Sequence, residues 1–247
     1  MFDKLNAILS LFSDEKPEWA PAAAARALRL PRSTAYRLLA RMAGSGLLDQ
    51  DDDSGRYRLG IRLAALGSLA QRSSSLQRAA APVLRALAGE SRETASLMVR
   101  GGAEGVTVLI AASQQPLMVP GQIGGRVPLH ASAGGKVLLA FMPDDLRSTL
   151  FTDLFTAQTS TTITDPAVLT RHLADIRTAG YATGRGEWID GVYAAAAPVR
   201  SFTGEVIGAL SVGGPRARVT DERLQVLVKL VTAAAAEVSS AVGHVPR

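Results

Sequence analysis

Six side chains within a ten-residue window, Arg32, Ser33, Thr34, Tyr36, Arg37 and Arg41, combine guanidinium groups with hydroxyls and include no acid. Those are the groups that meet phosphate oxygens and base edges in a DNA major groove. They lie in the stretch Leu30-Pro31-Arg32-Ser33-Thr34-Ala35-Tyr36-Arg37-Leu38-Leu39-Ala40-Arg41-Met42. Ala35, Leu38, Leu39 and Met42 follow i, i+3, i+4, i+7 spacing and form an apolar stripe. Ser33, Tyr36, Arg37 and Ala40 repeat that spacing on the opposite side, and Pro31 suits a first helical turn. Taken alone, the segment fits an ordinary surface helix with solvated arginines equally well. Its neighbours decide between the two.

Residues 22–28 predict a small Ala-rich helix, and Arg29-Leu30 leaves only a two-residue turn before the basic helix. Short helix, tight turn and second helix with a basic outer face is helix-turn-helix order, although the turn lacks the frequent Gly. Gly44-Ser45-Gly46 stops the second helix. Leu47-Leu48 then reads as a short strand, residues 49–55 as a turn rich in Asp, Ser and Gly, and Arg56-Tyr57-Arg58-Leu59 as the return strand. A hairpin in this place is a wing, with Arg56 and Arg58 on one face and free to touch phosphate. Its acidic tip, Asp51 to Asp53, is repelled by DNA and is expected to point away from it. Structural cover for the first helix is the other reading of the hairpin.

A second set of residues points to a different chemistry. In Gly124-Gly125-Arg126-Val127-Pro128-Leu129-His130-Ala131-Ser132-Ala133-Gly134-Gly135-Lys136 a strand ends and small residues open a helix. Absent side chains let a ligand reach backbone N–H groups, and a helix N-terminus favours negative charge, which suits a small carboxylate. Tight helix–sheet packing explains the same glycines. The spacing of a phosphate-binding Walker loop is missing. His130 has no acid or nucleophile in its own segment and reads as a buried, hydrogen-bonded histidine. Glu187 and Trp188, set among Gly184, Gly186 and Gly191, fit either a pocket lining or a surface turn.

The elements that must carry these groups follow from the remaining pattern. Residues 5–12 form an amphipathic helix, and 14–21, broken by Pro17 and Pro21, a loop. Residues 60–72 carry a narrow seam of Leu63, Leu66 and Leu69/Ala70, fit to pair with another helix. Helix 76–90 follows a Ser73-Ser74-Ser75 break. From Thr94 the period changes to two, with strands at 94–99, 105–112, 117–119, 193–200 and 205–212. Helices are expected at 132–141, 144–151, 165–179 (capped by Thr164) and 221–242 (capped by Thr220). This is a mixed α+β pattern, an antiparallel sheet flanked by helices.

Bulk properties narrow the function classes. The chain has 247 residues, 47% apolar and 20% charged, which is ordinary globular composition for one or two domains. The net charge of +5 is modest, but between Arg26 and Arg62 eight arginines face four aspartates, all four of them in the hairpin. The absence of cysteine excludes disulfides and thiol chemistry, and the three histidines match no metal spacing. No Gly-x-Ser-x-Gly, His-Glu-x-x-His or paired-acid constellation appears, so the reading is not an enzyme, and no cofactor is implied. Neither a signal peptide nor a run of about 18 apolar residues is found, which leads to the expectation of a cytoplasmic protein with no membrane partner.

Taken in order, these stretches resemble the IclR family of bacterial transcription regulators. Residues 30–39 are similar to its recognition helix and Tyr57-Arg58-Leu59-Gly60 to the end of its wing. Residues 128–136 are similar to its effector-domain motif. Gly180-Tyr181-Ala182, Glu187, Gly191, Ala196-Ala197-Pro198-Val199 and Ala209-Leu210-Ser211-Val212 are similar to the blocks that follow. The resemblance implies a winged helix-turn-helix DNA-binding domain (1–60), a linker helix (61–75) and a GAF-like effector-binding domain (76–247). It also implies dimers or tetramers on palindromic double-stranded DNA operators, with repression the commoner mode. In relatives that bind small carboxylates, backbone at the helix start holds the ligand, here Ala133 and Gly134. An Asp, a Cys and two Ser complete that pocket, and their places fall on Gly184, Ala194, Ser211 and Gly213. Only Ser211 keeps a hydroxyl. The resemblance therefore implies an organic-acid effector larger or less polar than pyruvate, with Arg185 an alternative source of charge. A ligand-binding module without DNA binding, and an enzyme acting on a small organic acid, are the competing readings.

Overall fold

In the computed structural model, the described residues are 2–13, 15–73, 75–117, 119, 121–151 and 155–245; the side chains of 2 and 68–73 lie outside the description. The chain divides into two compact units, Met1–Ser74 and Ser75–Arg247.

The first unit contains α1 (Phe2–Leu9), β1 (Glu18–Trp19), α2 (Pro21–Ala27), α3 (Arg32–Gly44), β2 (Leu48–Gln50), β3 (Tyr57–Leu59) and α4 (Ile61–Ser73). The stripe expected on α3 is its buried face: Ala35, Leu38, Leu39 and Met42 all turn inward. Leu38, Leu39 and Met42 close on Ile8, Trp19, Ala24, Leu48 and Tyr57 as one small core. Pro31 stands at the N-cap of α3, one residue before the helical turn expected for it. Between α2 and α3, Arg29 adopts φ +52° while Leu30 N–H bonds the Ala25 carbonyl at 2.9 Å. This is the left-handed position for which such turns use Gly, here held by an arginine.

The wing is a three-stranded sheet of order β1-β3-β2, not a two-stranded hairpin. The stretch 14–21, expected to be all loop, supplies β1, pairing Glu18 with Arg58 and Trp19 with Tyr57. Two residues are too short to show a period of two. Of the seam expected on α4, Leu66 is exposed; Leu69 and Ala70 fall outside the described side chains.

The second unit contains α5 (Ser75–Ser91), β4 (Thr94–Gly101), β5 (Glu104–Ala111), β6 (Arg126–Pro128), α6 (Ala133–Ala140), α7 (Asp144–Leu150), α8 (Pro166–Ala179), β7 (Ala182–Arg185), β8 (Val192–Arg200), β9 (Val206–Pro215) and α9 (Asp221–Ala241). Its six strands pair antiparallel in the order β6-β5-β4-β9-β8-β7. The strand expected at 117–119 is absent at Leu117 and Val119, with Met118 outside the described residues; the edge is β6 instead. The cap of α8 is Asp165 rather than Thr164: its carboxylate accepts the Ala167 and Val168 amides at 2.7 and 3.2 Å.

Alternation along the strands sorts side chains to two faces. Ala95, Leu97, Ala195, Ala197, Val199, Leu210 and Val212 pack against α5 and α9. By length and hydropathy α9 could cross a membrane, but its Leu224, Leu227, Val231 and Val238 are fully buried in this layer. Met98, Ala182, Ala196 and Ala209 face α6 and α8. On this face, all eight residues of α6 are buried.

Candidate nucleic-acid interface and effector site

The outer face of α3 is as open as its inner face is closed. Arg32, Ser33, Tyr36, Arg37 and Arg41 are exposed and Thr34 is half-buried. Tyr36, 48% exposed, carries more open apolar surface than a core tyrosine does. No ion pair engages these arginines among the described residues. Their donors are therefore available to phosphate oxygens or base edges.

On the wing, Tyr57 turns into the core, so Arg56 and Arg58 emerge on the opposite side. Arg56 precedes β3 rather than lying in it. Arg58 is not free: it faces its cross-strand partner Asp49 at 4.0 Å. Asp51 closes the turn by accepting the Ser54 amide and hydroxyl at 2.8 and 2.7 Å, which holds its carboxyl below the usual range. Asp52 and Asp53 are exposed.

The positions expected to line a ligand site gather near the start of α6. Ser132 caps the helix by accepting Gly135 N–H at 3.1 Å, which leaves the amides of Ala133 and Gly134 without a partner among the described residues. Both residues are buried, so these are costly orphan donors. A Cβ placed on Gly184 would stand 3.6 Å from Ala133 N, and one placed on Gly134 would stand 3.8 Å from Ser211 Oγ. Gly184, Ala194 and Gly213 lie side by side across β7, β8 and β9. The Ser211 hydroxyl shares a 2.9 Å hydrogen bond with Ser96 on β4, a neighbour the sequence reading missed. The period of two in β4 marks Ser96 as inward on this face; what could not be read was its cross-strand register with β9.

Arg185 supplies no charge here. One residue beyond Gly184 on β7, it turns outward and bonds Asp221 at 2.9 Å and Thr183 Oγ1 at 3.2 Å. His130 is buried and packs on Phe155, and its Nε2–H donates to the Thr156 carbonyl at 2.9 Å, which places the proton of the neutral ring on Nε2. Glu187 is not a surface turn residue. Its carboxylate grips Lys136 Nζ at 2.6 and 2.7 Å, and that ammonium also reaches the Thr183 carbonyl at 3.0 Å and His172 Nε2 at 3.2 Å. Lys136 is fully buried. Burial pulls its ammonium below the usual lysine range, against the pull of Glu187 in the other direction. Burial, then the Lys136 charge, likewise lower the His172 imidazole.

An exposed basic helix after a tight turn, and a buried helix start lined by small residues, form a two-part arrangement that known proteins share. The IclR helix-turn-helix domain matches residues 3–52, and the bacterial transcriptional regulator IclR C-terminal domain matches residues 69–240. The chain belongs to the IclR family.

Among IclR relatives, the HTH-type transcriptional repressor AllR of Klebsiella pneumoniae is 32% identical over 221 residues, 89% of this chain and 81% of that protein. An IclR transcriptional regulator from Silicibacter sp. TM1040 superposes with a TM-score of 0.90 at 25% identity, covering 100% of this chain and 97% of that one. An IclR homologue from Microbacterium hydrocarbonoxydans, solved with 4-hydroxybenzoate, gives a TM-score of 0.84 at 28% identity over 98% of each chain. Like these IclR proteins, the chain is a DNA-binding transcription regulator with a helix-turn-helix domain and an effector-binding domain.

Proposed function

We propose that this IclR-family chain is a repressor that reads a palindromic operator as a dimer or tetramer and releases or reshapes that contact when an effector binds in its second unit. The division of labour is 1–60 for DNA, 61–75 as a linker helix, and 76–247 for the effector, in the cytoplasm and with no catalytic step. The observation that carries the reading is the face of α3, where Arg32, Ser33, Tyr36, Arg37 and Arg41 stand exposed on a helix whose other face is locked into a core. Ser33, Tyr36 and Arg37 read bases, with Arg32, Thr34, Arg41 and wing Arg56 on phosphates. Arg58 reaches phosphate by leaving Asp49, which at this exposure restrains it weakly.

The effector sits against Ala133, Gly134, Gly184, Ala194, Ser211 and Gly213. Two backbone donors favour a carboxylate, and the missing side chain at Gly184 leaves apolar room beside it, bounded by Ala133. No free cation faces this room among the described residues: Arg185 is turned out and Lys136 is neutralised by Glu187. An organic acid with a larger or less polar body than pyruvate fits such a site. The 4-hydroxybenzoate held by the Microbacterium homologue is an acid of that kind.

Arg37→Ala tests the DNA reading. Loss of one base or phosphate contact costs about 1–3 kcal/mol, so operator affinity falls roughly 5- to 150-fold with an unchanged melting temperature. A gel shift showing unaltered operator binding refutes the assignment. A thermal-shift screen tests the effector reading: stabilisation by glyoxylate or pyruvate alone, and by no bulkier acid, refutes it.

A further inference from the structure

We propose that Lys136 and Glu187, with His172, are positioning residues that set the width of the effector site by clamping the first turn of α6 to the end of β7. This rests on the reading of the α6 start as the effector site. The three N–H bonds of the Lys136 ammonium point to three different elements: the Glu187 carboxylate after β7, the Thr183 carbonyl within β7, and His172 Nε2 on α8. Because the ammonium donates to His172 Nε2, that nitrogen is unprotonated and the imidazole proton resides on Nδ1.

The clamp lies next to the donors it controls. Lys136 is three residues after Ala133, and Thr183 and Glu187 bracket Gly184, the residue whose Cβ position stands 3.6 Å from Ala133 N. Moving β7 away from α6 therefore opens the site directly. The Glu187 end is itself held: Thr162 Oγ1 donates to its backbone carbonyl at 2.7 Å, and Thr159 Oγ1 donates to the Gly186 carbonyl at 2.7 Å. A pair of apolar side chains in this place would be at least as stabilising as a buried ion pair. What it lacks is direction. Among the described residues, only the Lys136 ammonium, carried on α6, ties that helix to β7 by a hydrogen bond, and the spacing it fixes is the width available to a ligand head held by the Ala133 and Gly134 amides.

Hydrogen–deuterium exchange of the full chain, read on peptides from residues 129–139, separates the clamp from a merely structural ion pair. In Lys136→Met and Glu187→Gln the exchange of this segment rises at least tenfold, with peptides of α5 and α9 unchanged. In the double variant Lys136→Met/Glu187→Leu the melting temperature recovers towards wild type, whereas the 129–139 segment still exchanges fast. Recovery of both together, or an exchange increase spread evenly over the second unit, overturns the proposal. The same peptides are followed for the wild-type chain with glyoxylate, pyruvate and 4-hydroxybenzoate in turn. Protection by none of them counts against the effector reading of the site and leaves the result for the clamp standing.

Discussion

The two helices proposed to carry function, α3 and α6, are built on opposite plans. α3 buries four of its thirteen residues and exposes most of the rest; α6 buries all eight. On α3 the groups proposed to work are long side chains at helical spacing. On α6 the proposed groups are backbone amides, with the small residues Gly134 and Gly184 beside them. A surface reader needs only a firm footing and the right charges, whereas an interior site depends on each neighbouring atom being in place.

That contrast is sharpest in how each helix takes an added carbon. A side chain at Gly135 would bring its Cβ to 2.5 Å from the Leu129 carbonyl oxygen and 2.8 Å from Leu129 Cα, all backbone that cannot swing aside. Gly135→Val destabilises the second unit by about 3 kcal/mol. Gly44 at the end of α3 has nothing within 4 Å, and Gly44→Ala stabilises by about 0.5 kcal/mol. Chemical denaturation of the two variants measures both; equal effects break the comparison.

Acid discriminates between the units next. His172 is neutral in the fold with its affinity for protons lowered, mainly by burial and then by Lys136, while Glu187 and Asp175 act the other way. The unfolded chain therefore binds the extra proton first, and stability falls as pH drops from the ordinary histidine value of 6.5 towards the lowered one. Asp51, Asp144 and Glu222, all with lowered carboxyls, lose their contributions only at lower pH, near and below the ordinary carboxylate values. Melting curves between pH 8 and 5.5 show this loss in the second unit, and His172→Gln removes it. Persistence of the slope in that variant assigns it elsewhere.

The smallest effects test the tight turns and the empty positions. Arg29→Gly relieves a left-handed conformation and raises stability by about 0.5 kcal/mol, the strain relief outweighing the greater chain entropy of glycine. Gly184→Ala changes stability by less than about 0.5 kcal/mol, because its new methyl meets Ala133 at ordinary contact distance. It weakens whichever acid stabilises the wild-type chain in the thermal-shift screen, since that methyl occupies ligand space.

Legibility followed the same divide. The α3 face was readable because Ala35, Leu38, Leu39 and Met42 have a helical period and the arginines opposite them are chemically distinctive. The start of α6 was readable as a run of small residues. The partners of Lys136 were not: Thr183 and Glu187 lie 47 and 51 residues away, and His172 lies 36 away, joined only by the folding of β7 and α8 around α6. β1 and β6, two and three residues long, are below the length at which periodicity speaks. Arg185 was misplaced for a related reason. Once β7 is known to be a strand, Gly184 inward makes Arg185 outward.

The empty positions also set the paths open to mutation over evolutionary time. Gly184 has room for a first carbon, so a lineage can try new side chains there one substitution at a time without leaving the folded state. Gly213 has none: a Cβ would stand 2.8 Å from both the Ala194 methyl and the Tyr193 carbonyl oxygen, so refilling it requires β8 to move first. Changes of effector preference in this lineage should therefore begin on β7 and reach β9 last, an order that reconstruction of ancestral sequences can trace.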